Sequence, residues 1–151
     1  MKINDIIQIT QKNHPGLLKN TNWGELGLFY NPEEKLKIGI YLMTFKEKDG
    51  EHDSASKLDR GGLYRLNLGI SKETFIKIFG TIPKRPRAGE VITMDIEFDF
   101  TKIDTIMPHP VYGWMSWISV INPSQKTFEM LKPLIAEGYK LAVEKYKRKK
   151  L

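Results

Sequence analysis

The 151-residue sequence contains no cysteine. Disulfides and thiolate metal centres are therefore excluded. A chain without cysteine fits a reducing compartment, and a cytoplasmic location is expected. Only three histidines occur, His14, His52 and His109, and none of them shows the close helical spacing of zinc ligands. No segment approaches the ~20 apolar residues of a membrane span, and the scattered isoleucines at the N-terminus do not form a signal peptide. Two signatures of common chemistry are also missing. There is no G-x-x-x-x-G-K-[ST] loop to cradle phosphates, and no G-x-S-x-G elbow to present a serine nucleophile. Neither repeats nor low-complexity segments nor linkers interrupt the chain.

What is present is an ordinary globular composition, 40% hydrophobic and 28% charged. The length suits one domain with a real core. The net charge of +6 is not evenly spread. Residues 140–150 hold six Lys/Arg and one acid, a net +5, and the rest of the chain carries +1. The basic character thus belongs to a C-terminal tail with Lys145, Lys147, Arg148, Lys149 and Lys150. Cations there suit a helix C-terminus, or provide a weak, nonspecific hold on nucleic acid.

Hydrophobic periodicity outlines the elements. Ile3, Ile6 and Ile7 predict a helix over residues 2–12, stopped by Pro15 and Gly16. "LGLFYNPEE" reads as a strand ending at Asn31-Pro32. Leu36–Phe45 reads as a second strand, with Leu36, Ile38, Ile40 and Leu42 on one face. The polar stretch "KEKDGEHDSASKLDRGG" is the longest loop, with Asp53 placed to cap a turn through "SASKL". In "LYRLNLGI", Tyr64, Leu66, Leu68 and Ile70 face one way, and Arg65 and Asn67 the other. Ser71 and Gly80 bound a helix over "KETFIKIF". "VITMDIEFDF" alternates cleanly and predicts a half-buried strand with Ile92, Met94, Ile96, Phe98 and Phe100 inward. Thr101 with Asp104 has capping-box spacing for a short helix before Pro108. "GWMSWISVIN" predicts a central strand, with Trp114 and Trp117 on opposite faces. After Asn122-Pro123-Ser124, a stripe of Phe128, Leu131, Leu134, Ile135, Tyr139, Ala142 and Tyr146 predicts a long helix, kinked or restarted at Pro133. Strands without regular βαβ alternation indicate an α+β fold. The expectation is an antiparallel sheet of about five strands packed against an N-terminal and a long C-terminal helix.

Three segments carry the candidate chemistry. In "MPHPVYGWMSW", Pro108 and Pro110 stiffen the chain around His109, which suits a titrating group or a rigid corner. "HDSASKLDR" gathers Asp53, Ser56, Asp59 and Arg60, groups that can hold an anion, orient a histidine, or simply brace a loop. Arg65 and Asn67 share a strand face and need partners if that face is covered. An ion pair with Asp53 or Asp59 is one reading, and recognition of a carboxylate or phosphate is the other.

The segments "WGELGLFY", "SKLDRGGLYRLNLGI", "FDFTKIDTIMPHPVYGWMSWISVINPS" and "TFEMLKPLIAEGYKLA" resemble the bacterial family catalogued as domain of unknown function 6194, from about Trp23 to about Tyr146. That resemblance implies no activity. "WISVINPSQKTFEMLKPLIAEGYKLA" is also similar to the ending of the MmcQ/YjbR-like domains, which implies a double-wing-like α+β fold and a DNA-binding label.

Taken together, the residues predict a small-anion pocket formed by the 52–60 loop, the Arg65/Asn67 face and the His109 corner. In it Asp53, Ser56, Arg60, Arg65 and Asn67 contact the ligand, and Tyr112 or Trp114 forms the apolar wall. One alternative is a hydrolase-like enzyme using His109 with Asp59. The other is nucleic-acid binding through the basic tail. Neither a metal nor an organic cofactor is expected.

Overall fold

A computed structural model describes residues 1–149. Its elements are α1 (Ile3–Asn13), β1 (Leu17–Asn22), β2 (Glu25–Tyr30), β3 (Ile40–Lys46), β4 (Arg65–Gly69), α2 (Lys72–Phe79), β5 (Met107–Pro108), β6 (Trp117–Ile121) and α3 (Gln125–Lys147). The strands form one antiparallel sheet in the order β1-β2-β3-β4-β6-β5. The α+β expectation holds, with six strands: β1 and the two-residue β5 were not expected, and the strand expected at 91–100 is absent. Among the described residues, no helix is long and apolar enough to cross a membrane.

The helices pack on one face of the sheet. Ile6 and Ile7 of α1, Phe75 of α2, and Phe128, Leu131 and Ile135 of α3 join Leu28, Met43, Phe45, Leu66, Leu68, Ile118 and Val120 in the core. A bulge in β3 tunes this face. Leu28 opposes Met43 while Phe29 opposes Tyr41, so Leu42 is the extra residue. Both Leu42 and Met43 then join the core, and Tyr41 and Thr44 fall on the outer face. Helix α3 runs unbroken through Pro133 and approaches the sheet closely at Gly138. A Cβ there would lie 2.5 Å from the Gly69 carbonyl oxygen.

Side chains of α3 also secure α2. Ser71 caps α2 by accepting from the Thr74 amide, and Glu137 accepts from the Ser71 amide at 2.7 Å and the Thr74 hydroxyl at 2.6 Å. Burial opposes ionisation of Glu137. The Thr74 hydroxyl, the Ser71 groups and Lys77 outweigh it and hold the carboxyl below its ordinary range.

Several local expectations are corrected. Residues 91–100 form no strand, although Ile92 is buried and Met94, Phe98 and Phe100 are half-buried as the alternation requires. Ile96 is 65% exposed. The segment is an irregular strap, because β5 already occupies the sheet edge beside β6. No helix follows Thr101, whose amide and hydroxyl turn back to Asp99; Asp104 instead accepts from the Ser124 amide at the start of α3. Strand β3 starts only at Ile40, because Gly39 bends the chain at φ 105°. Leu36 and Ile38 precede it, half-buried. The helical turn of the long loop falls at Leu58–Arg60, and Asp53 does not cap it. Gly113–Met115 is likewise a helical turn, so Trp114 and Trp117 do not sit on opposite faces of one strand.

Candidate functional site: a buried polar cluster on the outer sheet face

Opposite the helices, registered pairs place three rows of side chains across the sheet. The middle row is Gly27, Thr44, Asn67 and Ser119, all small or polar. On one side lie Lys46, Arg65 and Ile121. On the other lie Phe29, Tyr41, Gly69 and Trp117. The 50–62 loop and the 103–112 segment fold over the polar part.

Arg65 is the centre of this face, with only 1% of its surface exposed. Its Nε donates to Asn67 Oδ1 at 2.7 Å. Its Nη1 donates to Asp53 Oδ1 and to Ser56 Oγ, each at 2.9 Å. Its Nη2 donates to Asp53 Oδ2 at 2.5 Å and lies 3.1 Å from His109 Nε2. Four of the five guanidinium N–H groups are thus taken by protein oxygens, and the fifth faces the imidazole. The pair with Asp53 is bidentate, the geometry in which arginine and carboxylate bind most strongly. Asn67 Nδ2 completes the row by donating to Thr44 Oγ1 at 3.1 Å.

His109 is 3% exposed and is fixed from behind. Its Nδ1 accepts from the Val111 amide at 3.1 Å and the Tyr112 amide at 2.9 Å. Its own amide donates to the Trp117 carbonyl. Two donors at Nδ1 place the proton of the neutral ring on Nε2, so Nε2 and Arg65 Nη2 face each other as two donors and share no hydrogen bond. A second proton has no acceptor in this arrangement. Burial first, then the charges of Arg65 and Lys46, keep the imidazole neutral well below its ordinary 6.5. The two prolines of the corner are buried with it, so the stiff motif builds an interior support.

The predicted residues therefore divide. Asp53, Ser56, Arg65, Asn67 and His109 converge in one network. Asp59 and Arg60 stand outside it and are exposed. Asp59 accepts from the Asp49 amide, and Arg60 donates to the carbonyls of Ser56, Lys57 and Thr101. Tyr112 borders the network, its ring 5.0 Å from that of His109. Trp114 lies under the Arg85 guanidinium, 4.9 Å from its ring centroid. Lys145, Lys147, Arg148 and Lys149 are exposed at the end of α3, and Lys150 lies outside the described residues. No group of three or more His, Asp or Glu side chains among the described residues is gathered as a metal site.

Two residues at the rim were not expected. Lys46, just past the predicted end of β3, has only 13% of its side chain exposed. Its ion-pair partner is Glu25, at 3.9 Å, beyond hydrogen-bond range. Gly50 lies so close that a Cβ there would be 3.1 Å from Lys46 Nζ. The alternation Thr44, Lys46 contained the signal, but only the pairing of Lys46 with Arg65 places it at the cluster.

Two hollows of the described surface lie elsewhere. One of about 220 Å³ separates α1 from α3 beside His14, and one of about 360 Å³ flanks β1. Compared with known families, the chain matches the family of unknown function DUF6194 over residues 1–151. No curated protein and no solved structure matches it.

Proposed function

The chain belongs to that family, whose name carries no activity, and we propose that it is a non-catalytic domain binding a small anionic ligand at the rim of the Arg65 cluster. The observation behind this reading is the contrast between two cations on adjacent strands. Arg65 is consumed by Asp53, Ser56 and Asn67. The Lys46 side chain is largely buried, yet its nearest carboxylate stands at 3.9 Å. An ammonium at a partly covered rim, with no carboxylate in hydrogen-bond range, gains more from an incoming carboxylate or phosphate than one on the open surface does. The cluster then serves as a rigid floor, and half-exposed Tyr112 offers an apolar surface beside it. The expected anion contact thus passes from Arg60 and Arg65 to Lys46.

Catalysis is the poorer reading of the same geometry. The Ser56 hydroxyl is held by Arg65, Nδ1 of His109 is taken by two backbone amides and its Nε2 is walled in by Arg65, and the carboxylate of Asp59 is turned to Asp49. Within the described residues of this cluster, no hydroxyl is paired with a base.

The test is an amide-resolved NMR titration with acetate, citrate, inorganic phosphate and AMP. At least one probe is expected to move the amides of Lys46, Gly50, Asp53 and Tyr112 together, and Lys46→Gln to abolish that movement while keeping the spectrum of the fold. If no probe perturbs this face, or if Lys46→Gln binds as well as the parent, the reading is wrong.

A further inference from the structure

The folded body carries a cluster of cations separate from the C-terminal tail. Lys84, Arg85 and Arg87 are exposed, and Glu90 is the one acid between residues 81 and 94. None of the three cations is in an ion pair among the described residues. The segment that bears them is clamped at both ends onto the corner that supports His109. At one end Pro83 is buried, and a Cβ on Gly113 would lie 3.6 Å from its Cγ. At the other end the Ile92 amide donates to the Pro110 carbonyl at 2.8 Å, and Ile92 Cδ1 would be 2.9 Å from the same Cβ. Pro83 and Pro86 fix φ on either side of Lys84 and Arg85, and the Glu90 amide closes a turn on the Arg87 carbonyl. The backbone that presents these charges is therefore ordered before any partner arrives, which lowers the entropic cost of binding.

Rings stand among the charges. The Arg85 guanidinium carbon lies 4.9 Å from the centroid of the Trp114 ring, so a half-buried indole holds a planar cation in place. Tyr112, two residues earlier, is half exposed, and its amide is fixed on His109 Nδ1 at 2.9 Å. The tail past Tyr146 has cations but no ring.

We propose that this corner binds single-stranded nucleic acid, with phosphates on Lys84, Arg85 and Arg87 and bases stacked on the planes of Arg85, Trp114 and Tyr112. Charge and rings together select that partner. Three unpaired cations on four consecutive positions suit a run of phosphates. Side-chain rings and a guanidinium plane receive unstacked bases, and only a single strand offers them. A duplex keeps its bases stacked on one another, and an acidic peptide has none, so either would use the charges and leave the rings idle. A membrane surface fits less well. Trp114 lies under the Arg85 guanidinium, and inserting the indole would carry that charge out of water. A sulfated polysaccharide such as heparin has no bases, so it draws on the tail as readily as on the corner.

Fluorescence anisotropy on the full chain at low salt tests this, with a labelled oligothymidylate, an abasic strand of the same length, a duplex and polyglutamate as probes. The abasic strand has the same phosphates without the bases. The oligothymidylate is expected to bind more tightly than it by about fivefold or more, the share of a single stacked base. Trp114→Leu should bring the two strands to one affinity. The triple variant Lys84→Gln/Arg85→Gln/Arg87→Gln changes only exposed side chains and should keep the melting temperature while losing both strands. Ending the chain at Tyr146 should leave the ratio between the strands unchanged, and Lys46→Gln should leave the binding of both unchanged. Equal affinity for the abasic strand overturns the proposal. So does tighter binding of the duplex or of polyglutamate, binding that the triple variant does not weaken, or the absence of binding at low salt. A preference for bases that disappears with the tail also overturns it.

Discussion

Truncating Arg65 to alanine leaves the Asp53 carboxylate without its bidentate partner and Asn67 and Ser56 without a donor. Removing one member of a buried ion pair costs roughly 3–5 kcal/mol, and Arg65→Ala is expected to lose that much in urea unfolding. Much of the loss should return in the double variant Arg65→Met/Asp53→Leu, which removes both charges. His109 makes a second residue-scale prediction. Its folded pKa lies well below 6.5, because of burial first and then of Arg65 and Lys46. The unfolded chain therefore takes up a proton that the folded chain refuses. Stability is full above the ordinary value and is lost as pH falls toward the folded pKa. Between about pH 7 and about pH 5 the denaturation midpoint should fall, and His109→Gln should flatten that slope by up to one proton. His14, whose pKa burial also lowers, keeps part of the slope in the variant. At this scale the sequence was informative about partners. A strand carrying Arg65 and Asn67 on one face requires a covering group, and Asp53 was one of the two carboxylates expected to supply it. The saturation of the guanidinium was not legible, since it depends on Ser56 and His109 arriving from loops nine and 44 residues away.

Gly138 governs the element scale. Alanine is better than glycine within a helix by about 1 kcal/mol, so propensity alone predicts that Gly138→Ala stabilises α3. The contact with Gly69 predicts the reverse. A Cβ 2.5 Å from a carbonyl oxygen and 3.0 Å from Leu42 forces the helix off the sheet, and overpacking of this kind costs about 1–3 kcal/mol. A lower melting temperature for Gly138→Ala would show that packing outweighs propensity here. Glu137, one residue earlier, holds the N-terminus of α2, and Glu137→Ala should cost about 1–2 kcal/mol by the loss of two hydrogen bonds to a charged acceptor. The elements themselves were legible where a local signal sufficed. Ser71 and Gly80 did bound α2, and Ser124 did open α3. The failures needed distant information. Residues 91–100 have the alternation of a strand, but the position beside β6 is already taken by β5. Strand β1, "LKNTN" after its first leucine, has little apolar content, and it is a strand because β2 folds back on it through the Trp23-Gly24 turn.

Across the whole molecule, the charge and the fold are separable. The sheet, α1, α2, the first part of α3 and the Arg65 cluster lie in a body of net charge +1, whereas residues 140–150 carry +5. The alternation of the long C-terminal helix accounts for this division. Ala142 is buried and Tyr146 donates from its hydroxyl to the Pro32 carbonyl, whereas Lys145, Lys147, Arg148 and Lys149 point to solvent. Ending the chain at Tyr146 therefore removes four cations, lowering the net charge from +6 to +2, without removing a described side chain that is buried. The melting temperature should be unchanged within error. Retention on heparin should fall sharply. If the full chain binds duplex DNA measurably, the slope of log K against log salt should shrink by at most about 0.9 for each cation lost. Retention that survives the truncation would move the polyanion contact to the exposed Lys84, Arg85 and Arg87 beside Trp114. It would then be a property of the folded body, because that loop is held in place by Ile92 and Pro83 packing near Gly113, next to the corner that supports His109.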